Sequence, residues 1–157
     1  TSKILPLFCP SIIVSSAPQI RFPDCYGIDM SKMKEFIAFR ALLSLLKEHN
    51  KEYMLEQVYE KCTKSRCTDE PSPNYVKELY AEFTYDQITQ RIADIVTPED
   101  LTCEVSVIYQ TVEGLHESCP GHEGDWYFTG DYPTNGGNKV VNKAFINFME
   151  GKTVRAY

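Results

Sequence analysis

The chain predicts an α/β domain, a parallel sheet with extensive helical packing, and three observations predict it. The run Ile12-Ile13-Val14 is β-branched and continuous, with no polar alternation. That is the pattern of a strand covered on both faces, as in a parallel sheet. Residues 105–109 (VSVIY) read as a second strand. Between and after these runs, apolar residues recur at helical spacing. Two strands are too few for a stable sheet, so the reading also expects the chain to be part of a longer polypeptide.

Taken in order, residues 1–8 read as the tail of a helix, and 12–14 as the first strand. Pro18 and Pro23 then hold residues 17–23 extended. Asp29 or Ser31 can cap a helix over 32–48, whose apolar residues cover most of its circumference and so bury more than one side. A second, amphipathic helix is expected over 52–63, carried by Met54, Leu55, Val58, Tyr59 and Cys62. The polar, proline-marked stretch 63–73 reads as a loop, and 75–83 as a short helix. Thr84-x-x-Gln87 is a capping box opening a helix with the stripe Ile88, Ile92, Ile95 and Val96, stopped at Thr97-Pro98. After the second strand, Thr111 caps a short helix to Cys119. Residues 119–137 are rich in Gly, Pro and aromatics and read as a structured loop. Asn138 is expected to cap the last helix, with Gly151 at its end.

Composition narrows the function classes. A net charge of -6 argues against nucleic acid as a partner, because phosphate binding needs a basic face. No window approaches a membrane span, and the N-terminal residues lack the basic start and cleavage site of a signal peptide. The expected location is cytoplasmic. Six cysteines could form three disulfides, but Cys9, Cys25, Cys62 and Cys103 lie in apolar or helical surroundings. Reduced, mostly buried thiols are the better reading.

Residues 15–30 (SSAPQIRFPDCYGIDM) carry a more specific pattern. Ser16, Pro18, Ile20, Arg21, Phe22, Pro23, Tyr26, Gly27, Ile28, Asp29 and Met30 match, in register, a segment of the glutamine phosphoribosylpyrophosphate amidotransferases, which open purine biosynthesis. Residues 127–134 (YFTGDYPT) resemble the same family's F-T-G-x-Y-P ending. The resemblance covers 12–46 well and 101–134 moderately; 50–100 and the terminal helix have no counterpart. It implies a partial type I phosphoribosyltransferase-like sheet in three segments. Residues 1–48 would be the last strand and helix of the transferase core, 49–100 a helical insertion, and 101–157 the C-terminal strand, short helix, loop and terminal helix.

The resemblance further implies that the whole protein joins glutamine-derived ammonia to phosphoribosyl diphosphate, with magnesium holding the diphosphate. Partners would be the remainder of the same chain, and further copies in a homo-oligomer. The family's D-D-x-x-x-R-G-T-T loop and N-terminal cysteine nucleophile do not occur here, so this chain is expected to have no transferase activity alone. Some members hold an iron–sulfur cluster through thiolates at the places of Asp24, Gly124 and Tyr127; no thiolate stands there, and no cluster is expected. Ser15, Ser16, Arg21 and Tyr26 would wall the substrate site, at the strand ends where open parallel sheets bind ligands.

Blander readings stand beside these. Arg21 either contacts phosphate or serves the fold through an acidic partner, the second being favoured. Ser15 and Ser16 either bond a ligand or satisfy the backbone at the strand end. Cys62, Cys67, Cys119 and His122 would together make a Cys3His zinc site, an alternative that implies a small interaction module. A stand-alone nucleotide-binding or regulatory domain is the other alternative. Trp126, Tyr127, Phe128 and Tyr132 read as a loop packing on its own core rather than an aromatic binding patch.

Overall fold

Both expected strands form, and they pair with each other. In a computed structural model describing residues 10–25, 30–67, 71–100, 103–121 and 123–156, β1 (Ser11–Ser15) and β2 (Val105–Tyr109) run parallel. Ser11 stands opposite Val105 and Ser15 opposite Tyr109. Among the described residues the sheet has these two strands. The chain is therefore mixed α/β, with seven α-helices and one 3-10 turn among the described residues. The expected helical tail over 1–8 and the residue Tyr26 lie outside the described residues.

α4 (Tyr85–Val96) packs on β2, and α1 (Ile37–Glu48) packs on α4. α2 (Tyr53–Arg66) packs on α7 (Asn135–Met149). α1 buries Ala38, Phe39, Ala41, Leu42, Leu45 and Leu46, so it is enclosed on several sides as its composition predicts. Phe39 meets Phe148 of α7 edge-on, with ring centroids 4.9 Å apart. Arg91 of α4 pairs with Glu48 and donates to Ser44 Oγ at 3.0 Å, tying α4 to α1. The buried cluster includes Val58, Cys62, Val76, Leu79, Ile88 and Ile92, so residues 50–100 contribute directly to the core.

Several helix ends form as the sequence predicts. Thr84 Oγ1 accepts from Gln87 N while Gln87 Oε1 accepts from Thr84 N, completing the capping box of α4. Thr111 caps α5 (Val112–Ser118) through Gly114 N. Gly151, at φ +66, follows α7 in the left-handed conformation that a side chain resists.

Other ends fall elsewhere. A 3-10 turn (Met33–Glu35) precedes α1, and the residues flanking its start and that of α1 make no side-chain cap. Ser31 is buried with no cap bond, and Asp29 lies outside the described residues. α2 continues to Arg66, one turn into the expected loop, because Thr63, Lys64, Ser65 and Arg66 are tolerated in a helix until Pro71 and Pro73 intervene. The helix over 75–83 shrinks to α3 (Lys77–Tyr80) with turns on either side. α7 begins at Asn135, capped by Thr134 Oγ1 accepting from Gly137 N, rather than at Asn138. Two glycines are poor helix formers, yet Gly137 is required: a Cβ there would lie 2.4–2.6 Å from the Tyr132 side chain.

The largest departure concerns β1. Its apolar run reads as covered on both faces, yet Ile12, Ile13 and Val14 are 61%, 49% and 69% exposed. Ile108 of β2 is 52% exposed. In the parallel ladder, Ser11 N donates to Glu104 O and Gln110 N to Ser15 O. Alternation then turns the N–H and C=O groups of Ile12 and Val14 away from β2.

Candidate site at the strand ends

Where β1 ends, the chain turns into the proline-bounded loop over β2. Ser15 Oγ donates to Ala17 O at 2.9 Å and accepts from Ala17 N at 3.3 Å, so its hydroxyl serves the backbone. Ser16 is exposed beside it. Gln19, 1% exposed, is the hub of the loop. Its Nε2 donates to Tyr85 O at 3.1 Å and Thr89 Oγ1 at 2.6 Å. Its backbone N donates to the Tyr85 hydroxyl at 3.0 Å. Its Oε1 accepts from Arg21 Nε and Nη2 at 3.1 and 2.8 Å.

Arg21 is thereby held by an amide, and by two rings. Its guanidinium carbon lies 5.1 Å from the Tyr80 ring centroid and 4.9 Å from that of Tyr85. No described carboxylate stands within salt-bridge distance of it; Gln19 and the aromatic pair hold it. Burial pulls the guanidinium below its ordinary pKa, while Tyr80 and Tyr85 act the other way. Burial pushes both phenols up. Each phenol is anchored: Tyr80 donates to Arg21 O at 3.2 Å, and Tyr85 to Gln110 O at 3.0 Å, just past β2.

The loop's far side is bolted to residues 127–133. Arg21 N and Phe22 N both donate to Tyr127 O, at 2.8 and 3.1 Å. The Tyr127 hydroxyl donates to Asp24 Oδ1 at 2.7 Å, and the Tyr132 hydroxyl to Pro23 O. Asp24 is 0% exposed, and its backbone N donates to Met30 O at 2.8 Å. Burial first, then the contact with Asp24, pushes the Tyr127 phenol up to about 12. Gly130 ends the short helix α6 (Trp126–Thr129) at φ +75. A Cβ there would lie 2.8 Å from the Phe22 ring and 2.7 Å from Asn74 Nδ2, so only glycine lets the two segments meet. The two segments singled out by resemblance, 103 residues apart between Asp24 and Tyr127, thus form one unit.

A cavity of about 410 Å3 opens beside Arg21, lined by Tyr85, Asp86, Thr111, Glu113 and Phe128 among others. It lies past the carboxyl ends of both strands, where Ser15 and Tyr109 finish. Its charged lining is one guanidinium against two carboxylates, too little positive charge to hold a diphosphate without other groups.

Among the described residues, Cys62, Cys67 and Cys119 do not gather as a metal site. Cys62 is buried under α2, its thiol pushed up to about 12 chiefly by burial, which opposes the thiolate a metal needs. Cys67 is exposed and contacts Thr63 O at 3.7 Å, and Cys119 is exposed after α5. Among the described residues no three His, Cys, Asp or Glu side chains gather as a metal site, and His122 lies outside them. Among the described residues Cys62, Cys67, Cys103 and Cys119 are free thiols, Cys62 buried and Cys103 half-buried, and Cys25 is half-buried. Trp126 and Tyr132, 6.5 Å apart between centroids, pack within their own loop as expected.

Sequence reasoning missed Gln19, Tyr80 and Tyr85 as Arg21's holders. Their spacing carried no motif, and only the fold brings α3 and α4 under the loop. No helix among the described residues is long and apolar enough to cross a membrane. Compared with family models, curated proteins and solved structures, the chain matches none.

Proposed function

We propose that the chain is the C-terminal part of an amidophosphoribosyltransferase-like enzyme. In that reading its loop 15–25 walls a phosphoribosyl diphosphate site, and further polypeptide supplies the chemistry. One observation carries the reading: the segments 15–30 and 127–134, picked out by resemblance to that family, lock onto each other through Tyr127 O, the Tyr127 hydroxyl and the Tyr132 hydroxyl. Chance similarity gives no reason for two distant matches to meet.

Two further features agree. Asp24 and Tyr127 occupy places where some members of the family carry cluster thiolates, and here their side chains touch at 2.7 Å. A neutral phenol donating to a carboxylate fills that space without metal. The exposed apolar residues of β1 suit a strand awaiting neighbours, which the upstream transferase core would provide.

The chain's own contribution is positional: Gln19, Tyr80 and Tyr85 fix Arg21 beside the cavity, and Thr111 and Phe128 shape its wall. The test is an assay of the natural coding sequence that contains these residues. The longer product should form phosphoribosylamine from glutamine and phosphoribosyl diphosphate with magnesium, and the 157-residue chain should form none. An upstream coding region without an acidic diphosphate loop contradicts the reading.

A stand-alone binding domain is the second reading, favoured by the cavity of about 410 Å3 beside a fixed guanidinium. Saturable binding of a nucleoside monophosphate by this chain alone would favour it.

A further inference from the structure

On another part of the molecule, the segment Ser31 to Glu35 and the end of α7 with its following residues enclose a second cavity of about 240 Å3. Ser31 lines it and is 2% exposed, and its Oγ has no hydrogen-bond partner among the described residues. The cavity is also unusually basic for a chain of net charge -6: Lys32, Lys34 and Lys152 line it against one carboxylate, Glu35. Lys32 pairs with Glu35 at 3.2 Å and Lys152 with Glu150 at 2.5 Å. Lys34 has no ion pair among the described residues.

The remaining wall is apolar, through Met33, Phe148 and Val154. Phe148 is fixed edge-on against Phe39, and Met33 is buried. The residues after α7 are fastened back onto it: Lys152 N donates to Asn147 O at 2.8 Å, and Asn147 Nδ2 to Val154 O at 3.3 Å. The cavity is thus formed before anything enters it.

We propose that this cavity binds a small organic anion, one apolar ring bearing a phosphate or carboxylate. Its charged head would sit among the lysines and its ring against Phe148 and Val154. The size admits one ring with its head group and excludes a polymer. This inference does not depend on the transferase reading.

The test is an amide chemical-shift titration of the 157-residue chain with phenyl phosphate, benzoate, inorganic phosphate and phenol. Phenyl phosphate or benzoate should saturate with Kd at or below ~1 mM, shifting Lys34, Gly151 and Thr153, and the tighter of the two identifies the head group. Inorganic phosphate and phenol, each lacking half the ligand, should bind at least ~10-fold more weakly. Lys34→Ala, at an exposed site, should weaken the better acid ~10-fold. No saturable shift with either acid overturns the proposal. So does binding of inorganic phosphate as tight as that of phenyl phosphate, or binding unchanged in Lys34→Ala.

Discussion

The loop at the strand ends and the strands that deliver it differ in how completely they are satisfied. In the loop, Gln19 makes four side-chain hydrogen bonds, Arg21 lies between two rings, and Pro23, Asp24 and Phe22 are each tied to residues 127–132. In β1, three consecutive large aliphatic side chains are exposed, and the alternate backbone groups point away from β2. Both regions come from the same twenty-residue neighbourhood, so composition does not separate them. What separates them is whether the partners lie within this chain: 71–100 and 127–137 supply the loop's partners, while no described element covers β1. Stability should follow the same division.

The largest effect is expected at the bolt. Gly130→Ala forces a side chain into a left-handed site and against Phe22 and Asn74. It should cost about 3 kcal/mol, combining backbone and overpacking terms, read as a lower denaturant midpoint. Next comes alkaline pH. Cys62 and Tyr127 both titrate at about 12 in the folded chain, above their ordinary values of 9.0 and 10.0. Their contributions are complete below those ordinary values and are lost as pH rises toward about 12. Denaturant midpoints should therefore fall as pH rises above 9.0, and Tyr127→Phe should lessen, without abolishing, the part of the decline that begins at pH 10.0, to which Tyr80, Tyr85 and Tyr109 also contribute.

Arg21→Lys keeps the charge but loses the fork on Gln19 and the planar stacking on Tyr80 and Tyr85, and should cost about 1–2 kcal/mol in thermal unfolding. A loss as large as that at Gly130 would mean that Arg21 holds more than the loop. Thr84→Ala removes one half of a capping box and should cost about 1 kcal/mol by the same measurement. Smallest is the change at the strand. Ile12→Thr with Val14→Thr should move stability by no more than about 0.5 kcal/mol while reducing self-association in sedimentation, because those side chains gain no burial here. A cost comparable to Gly130→Ala would erase the contrast between loop and strand.

Local signals were legible in the sequence wherever the physics is local. The capping box at Thr84, the cap at Thr111, the strand Val105–Tyr109 and the break at Gly151 depend on a few adjacent residues, and all four formed as read. Caps that compete were misplaced: Thr134 starts α7 ahead of Asn138 because its hydroxyl reaches Gly137 N while Gly137 must pack against Tyr132. The end of α2 was read short because a polar surface turn carries no apolar stripe. At the candidate site, Ser15, Ser16 and Arg21 were placed at the strand edge by their position after an apolar run. Their holders were not legible. Tyr80 and Tyr85 look like ordinary helix residues until α3 and α4 fold beneath the loop. The exposure of β1 was illegible for the opposite reason, since an apolar run reports what a strand is built to be covered by, not whether the cover lies in the same chain.

Amide hydrogen exchange on the 157-residue chain tests the contrast between finished loop and open strand most directly. The N–H groups of Arg21 and Phe22, both bonded to Tyr127 O, should exchange only on global unfolding, while those of Ile12 and Val14 should exchange at close to the rate of an open chain. Protection of Ile12 and Val14 equal to that of Phe22 would contradict the account, because it would mean that the outer edge of β1 already has its partner.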